Sequence, residues 1–191
     1  MKWFPEYNFI LASKSPRRQQ LLKSLDIDFS VQTREVEESY PDHLSREEVP
    51  VYLAKLKAAA FKTELKENDL LITADTVVCL GDRVLGKPAG YNEAFSMLSD
   101  LSGKNHQVIT GVCLTSRSKQ NSFYSVSEVT FKALTKEEID YYILNYKPYD
   151  KAGAYGIQEW LGTIGINHIE GSFYNVMGLP IQKLYEMIKK F

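Results

Sequence analysis

LLITADTVVCL, residues 70–80, is the most continuous apolar run of the chain. Strands that are covered on both faces of a sheet have this near-continuous apolar character, so we expect a central strand here. Gly81 and Asp82 follow directly and predict a tight turn, after which Arg83–Leu85 is predicted to form a short return strand. This run therefore sets the centre of the predicted sheet.

On both sides of this run, strand patterns alternate with helix patterns. Upstream we expect a strand at residues 9–13, a helix from Pro16 to about residue 25, a strand at residues 28–32 and a helix at residues 47–65. Downstream we expect a helix at residues 91–101, a hairpin of strands 108–116 and 123–133, a helix at 136–145, a strand at 163–170 and a helix at 180–190. The alternation is typical of the α/β class, with a mixed twisted sheet and flanking helices in a single domain over residues 1–191.

Composition narrows the class of partner. The formal net charge of −1 gives no overall basic field, so we expect no nucleic-acid partner, and any phosphate must meet local clusters of Arg and Lys. Because no apolar stretch approaches transmembrane length or resembles a signal peptide, we expect no membrane partner. Cys79 and Cys113 lie in apolar runs and are predicted to be buried, reduced thiols. These features favour a soluble, cytoplasmic protein.

Asp75 stands inside the apolar run. A carboxylate in a buried strand is costly unless it is paired or binds a metal, so Asp75 is a candidate metal ligand or general base. The alternative is a structural aspartate that is hydrogen-bonded to the backbone. A carboxylate from the acidic group Glu35, Glu37 and Glu38 can share a magnesium ion with Asp75, although such a group is more often a solvated loop.

A second candidate site lies where the first predicted strand meets the first predicted helix. The segment SKSPRR, residues 13–18, places Ser15 as N-cap and Pro16 at the first helical position. Free backbone N–H groups at a helix start attract anions, and Arg17 and Arg18 add charge against the helix dipole, which favours a bound anion there. The alternative is two solvated arginines on an exposed turn.

Two further segments suggest contacts to a nucleotide. GDRVLGKP, residues 81–88, approaches the phosphate-binding P-loop pattern, but Pro88 stands where the magnesium-binding Ser or Thr is needed, so we reject the P-loop and keep Lys87 as a phosphate contact. DKAGAYGIQ, residues 150–158, has small residues that permit close approach of a ligand. Lys151 is a candidate phosphate contact there, and Gln158 has the donor and acceptor that suit a base edge, although a lone loop glutamine is usually solvated.

Six segments in this order resemble the Maf family: LASKSPRR, ITADTVV, LGKP, LSGKNHQVITGV, DKAGAYGIQ and NVMGLP. The resemblance covers about residues 10–181 and is specific because the blocks keep the family's order. It implies a Maf/ITPase-like α/β fold in which two lobes enclose a nucleotide cleft, and a homodimer. The implied activity is hydrolysis of a nucleoside triphosphate to the monophosphate and pyrophosphate.

The resemblance also implies roles for individual residues. Asp75 aligns with the family's proton acceptor, and the positions linked to substrate choice are Arg17, Thr76 and Gln158. Further residues of the cleft align with Glu38, Lys57 and Lys87. The form AYGIQ, residues 154–158, is similar to the branch that acts on dTTP and UTP, whereas a branch acting on 7-methyl-GTP has an acidic form. Trp160 departs from the small residues that are common after this motif.

The expected mechanism follows from these roles. The triphosphate lies against Ser13 and the helix start, a divalent cation (Mg or Mn) is held by Asp75 or Glu38 and the phosphates, and Asp75 activates a water molecule that attacks the α-phosphate. The cations expected to neutralise the phosphates are Arg17, Lys57 and Lys87. Open alternatives are a nucleotide-binding regulator of cell division with incidental turnover, a 7-methyl-GTP pyrophosphatase and an enzyme for modified pyrimidine triphosphates.

Overall fold

The computed structural model describes residue 4 and residues 6–191. Its strands are β1 (Asn8–Leu11), β2 (Phe29–Val31), β3 (Asp69–Leu80), β4 (Arg83–Leu85), β5 (Asn105–Thr115), β6 (Gln120–Phe131) and β7 (Ile166–Glu170). Its helices are α1 (Pro16–Lys23), α2 (Glu48–Ala59), α3 (Tyr91–Leu101), α4 (Lys136–Tyr146), α5 (Trp160–Gly165), α6 (Phe173–Met177) and α7 (Ile181–Lys189). A 3-10 turn covers Ala152–Ala154.

The strands form one mixed sheet in the order β2-β1-β3-β5-β6-β7, and β4 pairs with β3. The pairs β1–β2 and β1–β3 are parallel, whereas β3–β4 and β6–β7 are antiparallel. β3 lies between β1 and β5 and is buried along nearly its whole length. The predicted α/β class with a mixed sheet and a central strand at residues 70–80 is therefore confirmed.

The chain divides into two compact units. Unit 1 contains the described residues of 1–75 together with Thr110–Ser125 and Gly178–Phe191, and unit 2 contains Thr76–Ile109 and Val126–Met177. Strands β3, β5 and β6 each continue from one unit into the other. The single domain over residues 1–191 stays a prediction.

The core of unit 1 forms where α2 packs on the sheet. Its buried apolar residues are Ile10, Ala54, Ala58, Phe61, Leu65, Leu71 and Cys113. The Thr73 hydroxyl donates a 2.7 Å hydrogen bond to the Ala54 carbonyl, which ties β3 to the middle of α2. Gly111 lets the start of α2 approach β5, because a Cβ there would lie 2.3 Å from the Pro50 carbonyl carbon. Together these contacts fix the helix that carries Lys57.

The core of unit 2 lies between α3, α4 and the strands of that unit. Its largest fully buried side chains include Leu98, Phe131 and Tyr142. His106 is 2% exposed, and its Nε2 lies 2.8 Å from the Tyr155 hydroxyl. No polar atom of the described residues bonds its Nδ1. This buried pair fixes the segment that leads to Gln158.

Besides shifts of a few residues at the ends of elements, the structure differs from the sequence-based expectation in three places. α2 ends at Ala59 instead of residue 65, because Phe61 and Leu65 reach the core from successive turns and so imitate the spacing of a longer helix. Residues 160–165 form α5, where a strand was expected from residue 163, because the Thr163 N–H bonds the Glu159 carbonyl and continues a turn into a helix. The short helix α6 was not predicted.

Cys79 and Cys113 are buried in β3 and β5, as predicted. The helices of the described residues are all too short or too polar to cross a membrane.

We expect Gly111→Ala to lower the free energy of unfolding by about 1–3 kcal/mol. The added Cβ would meet the backbone of Pro50 and Val51 at 2.3 and 2.4 Å, and backbone atoms cannot rotate away. Urea unfolding measures the change. Gly90→Ala is the matched control, because its Cβ would meet no atom within 4 Å, and its expected cost is below about 1 kcal/mol. Equal stability of the two variants would contradict the tight approach of α2 to β5.

The buried imidazole of His106 predicts a pH dependence of stability. Desolvation lowers its pKa from 6.5 to about 4, so between these values the unfolded chain binds the proton more readily than the folded protein. The contribution of neutral His106 to the free energy of unfolding is therefore complete above about pH 6.5. It is lost as the pH falls towards 4, and the total loss is about 3 kcal/mol. The free energy of unfolding, measured with urea at several pH values in this range, should depend less steeply on pH for His106→Gln than for the wild type. Identical slopes would mean that His106 does not titrate on unfolding.

Candidate active site

In unit 1, the loop between β1 and α1 is built as the sequence predicted. Ser15 is the N-cap of α1, Pro16 is the first helical residue, and the Ser15 hydroxyl accepts from the Arg18 N–H at 3.5 Å. The buried Ser13 accepts a hydrogen bond from the Ser15 N–H through its hydroxyl at 3.2 Å. The loop therefore turns Ser13 towards the backbone at the start of α1.

Arg18 holds this loop against two distant segments. Its Nε donates to the Gly178 carbonyl at 2.7 Å, and one terminal nitrogen donates to the Ala74 carbonyl at 2.9 Å. Desolvation lowers the pKa of its guanidinium, while the negative charges of Asp75 and Glu38 raise it. The alternative of a solvated arginine is therefore wrong for Arg18, which braces the strand residue immediately before Asp75.

Asp75, Lys57 and Glu38 form a cluster in unit 1, here called the acid–lysine cluster. The Lys57 Nζ lies 2.6 Å from Asp75 Oδ1 and 3.0 Å from Glu38 Oε1. The Asp75 side chain is 9% exposed and that of Lys57 18%, so the pair is largely removed from water. The ammonium supplies the counter-charge that a buried carboxylate requires. Of the predicted residues, these three are brought into direct contact.

The two carboxylates of the acid–lysine cluster have the donor chemistry for a divalent cation, and the Lys57 ammonium lies between them. Two carboxylate oxygens face one position that holds positive charge, and they lie no more than 5.6 Å apart because the same nitrogen is 2.6 Å from one and 3.0 Å from the other. Hard oxygen donors of this kind suit Mg²⁺ and Mn²⁺. The described residues contain no group of three or more His, Cys, Asp or Glu arranged to hold a metal.

In unit 2, the segments that carry Thr76, Lys87 and Gln158 meet at Gly153. The Gly153 N–H donates to the Gly86 carbonyl at 3.0 Å, immediately before Lys87. A Cβ on Gly153 would lie 2.9 Å from the side chain of Val78, two residues after Thr76 on β3, and its φ of +66° also favours glycine. Lys87 and Gln158 are exposed, whereas Thr76 is half-buried.

Lys151 is not placed as a phosphate contact. Its side chain is 8% exposed, and its ammonium lies 2.6 Å from Asp150 Oδ1 and 3.2 Å from Glu159 Oε1. Trp160, the departure from the family pattern, packs its ring on Tyr141 with a centroid distance of 4.7 Å. Sequence reasoning missed the bracing role of Arg18 and the ion pairs of Lys151, because their partners are carbonyls and carboxylates that only the fold brings near.

A double-mutant cycle with Lys57→Met and Asp75→Asn should give a coupling free energy of about 1–3 kcal/mol, because either change alone leaves a desolvated charge without its partner. Urea unfolding of the single and double variants measures it.

The matched control is the pair Arg34 and Glu64, also at 2.6 Å and in unit 1, but with side chains 42% and 52% exposed. Its expected coupling is about 0.2–1 kcal/mol. A Lys57–Asp75 coupling no larger than that of the control would contradict the desolvated pair.

Comparison with known proteins agrees with the resemblance. The sequence model of the family described as "Maf-like protein" matches residues 8–191. The "dTTP/UTP pyrophosphatase" of Phocaeicola vulgatus is 56% identical over 97% of this chain and 96% of its own length. The protein of the same name from Parabacteroides distasonis is 54% identical over 97% of both chains. Among solved structures, the Staphylococcus aureus Ham1 protein is a distant likeness, with a TM-score of 0.46 and 16% identity over 65% of this chain and 71% of its own. The extent of the family match and relatives that are more than half identical show that this chain belongs to the Maf family.

Proposed function

We propose that this chain is a nucleoside triphosphate pyrophosphatase that hydrolyses dTTP and UTP to the monophosphate and pyrophosphate. The observation that carries the proposal is the acid–lysine cluster, a buried carboxylate held beside a lysine in a member of a family whose relatives bear this activity in their names. A positioned carboxylate can take a proton from water, and a nearby cation can balance the negative charge of a phosphate.

The start of α1 is the proposed binding site of the triphosphate. The N-terminal end of the helix dipole is positive, and the loop at Ser13 leads directly into the first turn, where the Ser15 hydroxyl accepts from the Arg18 N–H. Arg17 adds positive charge at this terminus, where no acidic residue occurs in the first turn. Lys57 adds an ammonium from the acid–lysine cluster, and Lys87 is the proposed cation of unit 2. The phosphate charge is thus met by fixed dipoles and cations.

Asp75 is the proposed general base. Arg18 braces the carbonyl of Ala74, and the Lys57 ammonium holds one Asp75 oxygen, so the carboxylate has a defined direction. It takes a proton from the water molecule that attacks the α-phosphate. Asp75 and Glu38 are the residues that would hold a divalent cation, which when bound polarises the phosphate oxygens. As the water oxygen bonds to the α-phosphorus, the bond from that phosphorus to the α–β bridging oxygen breaks. The negative charge that develops on the leaving pyrophosphate is balanced by the cations named above.

Thr76 and Gln158 are the proposed selectors of the base. Gln158 is exposed and has both a donor and an acceptor, as the polar edge of a pyrimidine requires. Thr76 follows Asp75 by a single peptide bond, so the base-selecting and proton-accepting positions are adjacent along β3. The homodimer and the cytoplasmic location stay predictions.

Pyrophosphate release from dTTP, UTP, CTP, GTP and 7-methyl-GTP, with Mg²⁺ or Mn²⁺, tests the proposal. We expect selective hydrolysis of dTTP and UTP, and a fall in kcat of about 10²–10⁴-fold in Asp75→Asn, because the amide cannot accept the proton. Asp82→Asn, an exposed position after β3, is the control and should retain wild-type turnover.

Circular dichroism of Asp75→Asn checks that the fold is retained. Near-wild-type kcat in Asp75→Asn would remove Asp75 from its proposed role. Selective hydrolysis of 7-methyl-GTP would replace the pyrimidine assignment. Binding of nucleotides by the wild type without release of pyrophosphate would favour a regulator in place of an enzyme.

A further inference from the structure

Gln158 lies at the tip of a tight turn in unit 2. The Glu159 N–H donates to the Gly156 carbonyl at 3.0 Å, so Gly156 and Glu159 are the ends of a four-residue turn with Ile157 and Gln158 at its centre. Ile157 is 5% exposed and packs into the core, whereas Gln158 is exposed. The turn therefore has one buried and one exposed central side chain.

One buried hydroxyl contacts both ends of this turn. Tyr142, fully buried on α4, accepts a 2.9 Å hydrogen bond from the Gly156 N–H through its hydroxyl, and the same hydroxyl donates to Glu159 Oε2. The other Glu159 oxygen lies 3.2 Å from the ammonium of Lys151. The two ends of the turn are thus bonded to a tyrosine and a lysine that are both almost inaccessible to water.

The side chains of the turn fold back over Gly156. A Cβ at this position would lie 2.9 Å from the Glu159 carboxyl carbon and 3.2 Å from Gln158 Nε2. Because Tyr142 and Lys151 hold the Glu159 carboxylate, it occupies one side of the space above Gly156 and the Gln158 amide rests on the same surface. The position of Glu159 therefore limits the directions open to the Gln158 amide.

Stability alone is a poor explanation for this buried arrangement of charges. Burying a lysine and a carboxylate costs more than burying apolar residues of similar size, and a pair of this kind is weak evidence for stability. Here Lys151 and the Tyr142 hydroxyl both reach the carboxylate of Glu159, which ends the turn that carries Gln158. Buried, fully bonded polar groups are well suited to holding one backbone geometry.

A fixed orientation of the Gln158 amide would distinguish between pyrimidine bases. Uracil and thymine present an acceptor at O4 beside a donor at N3, whereas cytosine presents a donor at N4 beside an acceptor at N3. A glutamine amide that rotates freely satisfies either pattern, because it has an acceptor oxygen and a donor nitrogen that exchange places on a flip. Discrimination against cytosine therefore requires that the amide be held in one orientation.

We infer that Tyr142, Glu159 and Lys151 are positioning residues that hold the Gln158 turn in the geometry that selects uracil and thymine over cytosine. The inference rests on the proposed function, in which Gln158 contacts the base. These residues act through the turn and need not touch the substrate.

Tyr142→Phe tests the inference, because it removes only the hydroxyl that joins the two ends of the turn. We expect the ratio of kcat/KM for UTP to kcat/KM for CTP to fall by about three- to tenfold, the size of one ordinary lost hydrogen bond. The change should appear as a higher KM for UTP with kcat nearly unchanged, because the acid–lysine cluster is untouched. A purely structural role would lower the amount of active enzyme and leave the ratio unchanged.

Tyr141→Phe is the matched control, since it removes a hydroxyl from the neighbouring, exposed residue of the same helix. Its UTP to CTP ratio should equal that of the wild type. Glu159→Gln provides a second variant of nearly unchanged size. It keeps an acceptor for the Tyr142 hydroxyl but loses the charge opposite Lys151, so its ratio should lie between those of Tyr142→Phe and the wild type.

The possible outcomes separate this inference from the proposed function. A wild type that hydrolyses UTP and dTTP, with a lowered ratio in Tyr142→Phe and not in Tyr141→Phe, supports both. An active wild type with an unchanged ratio in Tyr142→Phe and Glu159→Gln overturns the inference alone. If Tyr142→Phe does not fold, the ratio of Glu159→Gln decides in the same way. A wild type that hydrolyses none of the nucleotides overturns the proposed function and this inference with it.

Discussion

The buried carboxylate of Asp75 is the constraint on which the arrangement of unit 1 depends. A charge in a strand that is covered on both faces must find a partner, and the partner is the ammonium of Lys57 on α2. That contact requires α2 to lie close to the sheet, which Gly111 permits and the Thr73 hydrogen bond fixes. It also draws in Glu38, whose carboxylate shares the same ammonium. The packing of unit 1 and its chemistry therefore have a common origin.

The parts of this arrangement that could be predicted from the sequence depend on local signals. The apolar run of β3 marked a central strand, an aspartate within that run marked a costly charge, and Ser15 with Pro16 marked a helix start. Each of these signals lies within a few adjacent residues, and each has a physical reason that does not depend on the rest of the chain. The resemblance to the Maf family then added roles that no local pattern contains, such as those of Thr76 and Lys57.

The parts that could not be predicted depend on contacts between residues far apart in the chain. Arg18 looks like an anion-binding residue in the sequence, yet its partners are the carbonyls of Ala74 and Gly178. Tyr142 looks like an ordinary core residue of a helix, and nothing in its neighbours shows that its hydroxyl meets Gly156 and Glu159. Residues 163–165, the end of helix α5, were predicted as the start of a strand because the start of this helix depends on that same turn. Backbone carbonyls carry no sequence signal, so their use as ligands of a side chain emerges only from the fold.

The hydrogen bond from Arg18 to Gly178 joins residues that are 160 positions apart, and it bears on how the protein is made. Unit 1 takes its segments from three separate parts of the chain, the last of which begins at Gly178. During synthesis, the loop that precedes α1 therefore leaves the ribosome long before its final partner exists. The long-range contacts of unit 1 close late, since loop closure over such a separation must precede any gain from the contact. The Arg18–Gly178 hydrogen bond consequently forms only after synthesis has passed Gly178, and premature termination upstream of Gly178 yields a chain in which the Arg18 Nε lacks this acceptor.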